Sequence, residues 1–558
     1  VPPSALERVE IGRGSASAVA GAGAPAGVVQ LRTRSVEDAG GHVELASGEF
    51  GTLDGRLDAW GALGATEVFV SGTWFETDGF RENAGGELGR LAGSLAWDLG
   101  GGRRLRLTGL SSMSDFGTPG ALTTEELADD PDQAPFNELD FVDEGASSLS
   151  LGFQGPLTEA LSLAANLWVQ DRDTEILTTG RAAPAFGGSF LESAVDSLGG
   201  TAQIDYTYGS RRQKLTFGVE WLDGDTDAET FSTPPTDLSL VDPAALSSDN
   251  TAGRTTLAAY AQGNWQPADK WTLLAGARWD DDETTYVESF PDPTNRGDRT
   301  DSEMSLRAGV SYAPAPGWST FLSYGEAFIA PTIQQLYSFP TFGSNPDLEP
   351  EDSRSIEIGV RRSWSGEMIL DAGFFQIDVD NEVIFDPDSP LGLFGANVNA
   401  GETRRRGFEA TLRGAVSPTV DLFTTVTLVD AELRSGENAG ETLPLVPEER
   451  LAAGVDVELP ADLALRLDGL WVGEQVLAGD DANAQEKLDD YQVVNLRLTW
   501  RAKTLAPGLA VYVQARNLFD EEYATRGIYA FDFSTFQNDV FLTPAPGRWL
   551  TGGVEWSF

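Results

Sequence analysis

From His42 to the C-terminus the chain repeats one pattern: segments of roughly ten residues in which apolar and polar positions alternate, bounded by Gly, Pro, Asp or Asn. In KLTFGVEW, Leu215, Phe217, Val219 and Trp221 share one face while Lys214, Thr216, Gly218 and Glu220 share the other. The same alternation runs through LAAGVDVEL, LALRLDGLWV, VVNLRLTW and GLAVYVQA. A period of two is that of a β-strand, and about 22 such segments are present. They include stretches near 196–209, 212–226, 254–266 and 270–283.

After the first, the connections alternate in length. Tight turns such as GPLTE, YGSR, QPAD, APAPG, SGE and SPT fall between longer excursions such as 114–145, 227–253, 326–352 and 518–547. A soluble sandwich has no reason to keep its short turns on one side. An outer-membrane barrel has short periplasmic turns, long external loops and, for an even strand number, both termini in the periplasm. The pattern therefore predicts an all-β fold, a transmembrane antiparallel β-barrel of about 22 strands, with apolar faces turned to lipid and polar faces to the lumen.

Charge sharpens this picture. The 558 residues hold 38 Lys and Arg against 87 Asp and Glu, a formal charge of −49, which argues against nucleic acid as a partner. The long connection 114–145 carries ten acidic residues and no basic one. Arg103–Arg104, Arg211–Arg212–Lys214, Arg361–Arg362 and Arg501–Lys503 instead lie at or beside the short turns. With no cysteine the chain has neither disulfides nor thiolate metal sites, and a single histidine, His42, argues against histidine-based catalysis or metal binding. No nucleophile–base constellation, zinc motif or phosphate loop is found, so an enzyme is not expected.

The N-terminal stretch ALERVEIGRGSASAVAGAGAPAGVVQLRTR carries Glu7, Arg8, Glu10, Arg13, Gly14, Ser17, Gly21, Gly27, Val28 and Thr33 in a spacing that resembles the second half of the plug domain of TonB-dependent outer-membrane transporters. Ser15, Ala20 and Ala26 depart from that pattern, replacing its usual Pro, aromatic and first Gly. Further stretches resemble the family in its own order: YGEAFIAPTIQQLY (324–337), NPDLEPEDSRSIEIGV (345–360), NVNAGETRRRGFEATL (397–412), ARNLFDEEYATRGIY (515–529) and PGRWLTGGVEWSF (546–558). The terminal aromatics Trp556 and Phe558 are similar to the signal read by the barrel-assembly machinery of Gram-negative bacteria.

The resemblance implies residues 1–38 as the C-terminal part of a plug in the lumen and 39–558 as the barrel. It also implies a location in a Gram-negative outer membrane, contact with lipid and lipopolysaccharide, a monomeric state, and energisation by TonB through a segment ahead of Val1. The implied function is high-affinity uptake of a scarce nutrient, a ferric siderophore or other metal chelate, with no cofactor required. A passive, plugless pore or a structural barrel subunit of an outer-membrane assembly is the alternative.

Three sets of candidate residues follow. Plug–barrel ion pairs would join Arg13, Arg32 and Arg34 to the inward carboxylates Glu220, Glu357, Glu409, Asp456 and Glu458. A bulky, partly apolar chelate would meet Tyr337, Phe339, Phe342, Tyr529, Phe531, Phe533 and Phe536, with Gln334, Asn397 and Asn538 orienting it. Arg404 and Arg406, in the run Arg404–Arg405–Arg406, either bind its anionic groups or neutralise nearby loop acids. Asp223, Asp225 and Asp227 are candidate structural Ca²⁺ ligands in an acidic loop, although their spacing is not that of an EF-hand.

Overall fold

The computed structural model describes residues 6–13, 27–34, 36, 38–181, 187–209, 211, 213–234, 241–291, 293–337, 344–364, 367–386, 389–391 and 395–558. Among them, 22 strands close into one antiparallel barrel. Each barrel strand pairs with the next along the chain, and the last, Trp549–Ser557, returns to the first, Gly40–Gly48, from Ser557↔His42 to Thr551↔Gly48. Closure removes every free edge, which lipid requires because it offers no partner to a bare backbone N–H or C=O. Among the described residues no helix is long and apolar enough to cross a membrane.

The alternation places the large apolar side chains on the outside. Phe217, Val219, Leu167, Phe374 and Val513 all stand exposed on the outer face, as lipid-facing positions must. Trp265, Trp271, Trp318, Trp500 and Trp556 lie on the same face beside the short turns, in the position of an interfacial aromatic girdle. The lumen wall is polar and internally neutralised: Arg278 bridges Asp280 at 2.8 Å and Glu220 at 3.0 Å. Apolar burial is confined to small clusters, such as Phe69 and Ala92 with Val36, Trp60 and Leu110.

Four consecutive strands outrun their apolar pattern. Gly188–Tyr208, Gln213–Thr233, Leu246–Ala268 and Trp271–Phe290 contain 21, 21, 23 and 20 residues. A tilted strand crosses the hydrocarbon in about 9–11 residues. Backbone pairing here continues past the lipid, where the outer face meets water and needs no apolar side chain. The alternation in the sequence stops where the membrane stops, not where the strand does.

The N-terminal hairpin, Leu6–Arg13 with Gly27–Thr33, is a two-stranded sheet apart from the barrel. Its contacts give Arg32 and Arg34 partners other than the carboxylates expected for them. Arg32 is exposed and lies 3.8 Å from Glu10 of its own hairpin. Arg34 stacks over the Trp60 ring at 4.9 Å. The side chain of Arg13 lies outside the described residues.

The guanidinium that joins the two parts comes from the barrel. Arg106 donates to the Thr33 hydroxyl at 2.7 Å and to the Arg34 carbonyl at 3.3 Å, while the Val36 N–H donates to Glu67 at 3.2 Å. Three of the carboxylates expected to receive the hairpin's arginines are met by arginines of the wall. Glu220 pairs with Arg278, Asp456 with Arg466 at 3.9 Å, and Glu458 with Arg501. Glu357 and Glu409 sit on strands Glu351–Ser363 and Thr403–Ser417, each with interactions of its own.

Candidate functional site

The long connections, all at one end of the barrel, are knitted into two assemblies. In the first, segments 330–350 and 381–402 exchange amide hydrogen bonds. Asn345 donates to the Asn397 carbonyl at 2.9 Å, Asn397 to the Gln335 carbonyl at 3.1 Å, and Asn399 to the Glu349 and Asn381 carbonyls at 3.0 and 2.7 Å. Arg299, rising from the neighbouring strand Arg296–Tyr312, donates to the Leu348 carbonyl at 2.6 Å and grips Asp301. The Tyr337 ring stacks on Tyr286 at 3.8 Å, and the Tyr286 hydroxyl donates to Asn250 at 2.7 Å.

The second assembly is a three-stranded sheet lying across the loops, in the order Ala524–Asp532, Gln537–Pro544, Leu122–Thr123. A helix, Thr124–Asp129, follows at once, its start fixed by a capping box between Thr123 and Glu126. Arg181 pins this unit. It binds Glu126, lies 3.6 Å from Asp532, and stacks on Phe136 and Phe541 at 4.7 and 5.0 Å. The hairpin tip is closed by Asp532, which accepts from the Ser534 N–H and hydroxyl, both at 2.7 Å. Around that tip Phe531 packs edge-on against Phe533 at 5.2 Å and Phe536 at 6.2 Å. Phe531 and Phe536 remain 44% and 62% exposed.

The candidate ligand residues therefore divide. Phe531, Phe533 and Phe536 come together as an aromatic tip, with Asn538 paired beside Phe531 in the hairpin and Tyr529 two positions further back from the turn. Gln334 is exposed on the one-turn helix Ile333–Leu336. Tyr337 and Asn397 are spent on holding the first assembly. Phe339 and Phe342 lie outside the described residues.

The basic run is neutralised strand to strand. Arg404 binds Asp378 at 2.6 Å, Arg405 binds Glu382 through two hydrogen bonds at 2.6 and 2.9 Å, and Arg406 binds Asp430 at 2.7 Å. Antiparallel register sets Arg404 and Arg406 each opposite an acid.

Loop carboxylates respond to these partners. Burial would raise Glu382, but hydrogen bonds from Arg405 and the Thr403 hydroxyl overcome it and hold the carboxyl below its usual range. In Asp532, too, burial is overcome by Ser534 and Arg181, and the group stays below that range. Asp481 is pushed up by burial, with Asp386 and Asp480 close by.

The aspartates expected to gather around Ca²⁺ are dispersed. Asp223, Asp225 and Asp227 follow one another on the outer face of strand Gln213–Thr233, so neighbours stand about 6.8 Å apart. Thr255 and Thr251 donate to Asp223 and Asp227 at 2.7 and 3.1 Å. An extended strand cannot wrap these three carboxylates around one ion. Trp556 and Phe558 pack together at 4.7 Å at the barrel's end, and the Trp556 indole N–H donates to the Pro507 carbonyl at 3.1 Å.

Sequence reasoning missed Arg181, Arg299 and Glu382, which order the loops. Arg181 had a readable signal: it is the only charged residue in the connection 179–187, and cations are few among the acid-rich loops.

A closed barrel of 22 strands, with a separate N-terminal hairpin and ordered loops at one end, is the architecture of an outer-membrane receptor. The chain belongs to the family described as TonB dependent receptor-like, beta-barrel, which it matches over residues 52–518. It is similar to the metal-pseudopaline receptor CntO of Pseudomonas aeruginosa, 23% identical over 99% of this chain and 80% of that protein. It is 23% identical to the ferrioxamine B receptor of Salmonella typhimurium over 100% of this chain and 81% of the relative. The crystal structure of the siderophore receptor PiuA from Acinetobacter baumannii has the same fold, with a TM-score of 0.83 at 17% identity over 99% of this chain and 86% of the other.

Proposed function

We propose that this receptor takes up a metal chelate across the outer membrane, with the aromatic tip Phe531, Phe533 and Phe536 as a principal contact. The observation that carries the reading is this tip: two exposed rings, Phe531 and Phe536, with Phe533 packed against Phe531, on a hairpin that Asp532 and Arg181 hold in place. Exposed rings on a rigid support offer apolar area to a bulky ligand at little entropic cost. Relatives named for pseudopaline–metal and ferrioxamine B recognition support the ligand class.

In this reading the long connections are extracellular and both termini periplasmic. Residues 1–38 are part of a plug, and TonB supplies the energy. The receptor works as a monomer among lipid and lipopolysaccharide, and Trp556 and Phe558 address it to the barrel-assembly machinery. Transport, not chemical conversion, is its activity.

The test is quenching of intrinsic tryptophan fluorescence in the purified protein, titrated with ferric hydroxamate, catecholate and carboxylate chelates and with pseudopaline-type complexes, beside haem and cobalamin. Saturable binding of one chelate class is expected. Binding of cobalamin or haem alone excludes a siderophore-type chelate, and binding of none of these metal complexes overturns the reading.

A further inference from the structure

A separate cluster of side chains converges where the barrel closes, away from the loops. The closing register sets Glu555 directly opposite Glu44 and Ser557 opposite His42. All four alternate with the outward Leu45, Val554 and Trp556 and so face the lumen. Like charges directly opposite on neighbouring strands repel, so this pairing calls for a positive charge between the two carboxylates.

His42, the only histidine in the chain, completes the group. One donor atom each from His42, Glu44 and Glu555 lie within 4.8 Å of one another. The ring Nδ1 is 3.0 Å from the Ser557 hydroxyl. Nε2 is buried 3.9 Å from Glu44 Oε2 and has no hydrogen-bond partner among the described residues. The other carboxylate oxygens are engaged: Tyr512 donates to Glu44 Oε1 at 2.7 Å and Arg497 to Glu555 Oε1 at 3.2 Å. Arg56 approaches Glu44 only to 3.8 Å and is bound to Asp58 at 2.8 Å.

An imidazole held through one nitrogen, with the other turned to a carboxylate and a second carboxylate in the same cluster, is how a histidine is presented to a metal ion. We propose that this seam binds a divalent transition-metal ion through His42 Nε2, Glu44 and Glu555, clamping the first barrel strand to the last. One nitrogen donor with two carboxylates suits Zn²⁺, Co²⁺ or Cu²⁺, whereas Ca²⁺ and Mg²⁺ take oxygen. Metal–ligand bonds of about 2.0–2.2 Å require the three donors to draw in by roughly an ångström, and leave a position for water. A lone histidine in the sequence argues against a histidine-rich site, but here the opposite strand supplies a carboxylate as the missing ligand. The clamp is independent of chelate recognition on the loops, and either proposal stands without the other.

The test uses the full chain without an affinity tag, stripped of metal and loaded with one equivalent of Cu²⁺, prepared with and without [¹⁵N]histidine. Electron paramagnetic resonance is expected to show a nitrogen coupling that changes with the label, which only His42 can cause. Zn²⁺ titration is expected to lose at least about tenfold in affinity in His42→Ala and Glu555→Gln, and roughly 10–100-fold in Ser557→Ala through the ring's orientation. The unfolding temperature, read from heat-shifted electrophoretic mobility, is expected to rise with Zn²⁺ in the parent protein alone. A label-insensitive spectrum overturns the proposal. So does Zn²⁺ affinity unchanged in a folded Glu555→Gln protein. The spectroscopic arm needs no variant, so misfolding cannot mask the answer.

Discussion

Glu382 shows how one side chain governs a loop. Both its oxygens are held by Arg405, one also by Thr403, and the pair is largely buried. Removing one partner of such a pair strands the other charge, so Glu382→Gln is expected to cost about 2–4 kcal/mol of loop anchoring, read as faster limited proteolysis within 381–402. The pH dependence has a definite sign. Glu382 and Asp532 sit below their usual values. Their contribution is complete above the unfolded carboxylate pKa, near 4, and is lost as pH falls through the lowered folded value. Asp481 is raised, so its contribution is present at low pH and lost as pH rises through the folded value. Hydrogen exchange against pH is expected to show 381–402 and 524–544 loosening in acid while the segment around Asp481 tightens.

Among the elements, the hairpin Ala524–Asp532 with Gln537–Pro544 separates recognition from stability. Phe531→Ala and Phe536→Ala are each expected to weaken chelate affinity about tenfold in the fluorescence titration. Both rings are largely exposed, so the unfolding temperature should not move. The turn before the strand Leu509–Arg516 behaves oppositely. Gly508 has φ of +79°, and a Cβ there would fall 1.8 Å from the Ser557 carbonyl oxygen. Gly508→Ala is expected to impair barrel closure, seen as a smaller fraction of heat-modifiable, folded protein.

The barrel strands were legible because lipid on one side and water on the other impose a period of two on each of them. KLTFGVEW states its own orientation. The loops carry no such imposed period. Asn345, Asn397 and Asn399 are held by amide-to-carbonyl bonds between segments about 50 residues apart, and no local pattern announces those partners. For the same reason the aromatic tip and the neutralising role open to Arg404 and Arg406 could be picked out by composition, while the role of Tyr337 could not.

Across the whole molecule, the outward face is the part that the membrane tests. Val219 sits about halfway through the lipid-facing part of its strand, so Val219→Arg is expected to cost about 2–4 kcal/mol, measured as a lower denaturant midpoint in detergent or bilayers. The wall from Gly188 to Phe290 is built of strands of 20 to 23 residues, whereas Leu509–Arg516, Trp549–Ser557 and Gly40–Gly48 have 8, 9 and 9. The short wall ends close to the lipid surface, and the tall wall continues for about a dozen residues beyond it. The mouth of the barrel is therefore cut obliquely, like the nib of a quill. On the low side the hairpin Ala524–Asp532 with Gln537–Pro544 rises between Leu509–Arg516 and Trp549–Ser557, so the aromatic tip stands on the cut edge and the tall wall forms a backstop across from it.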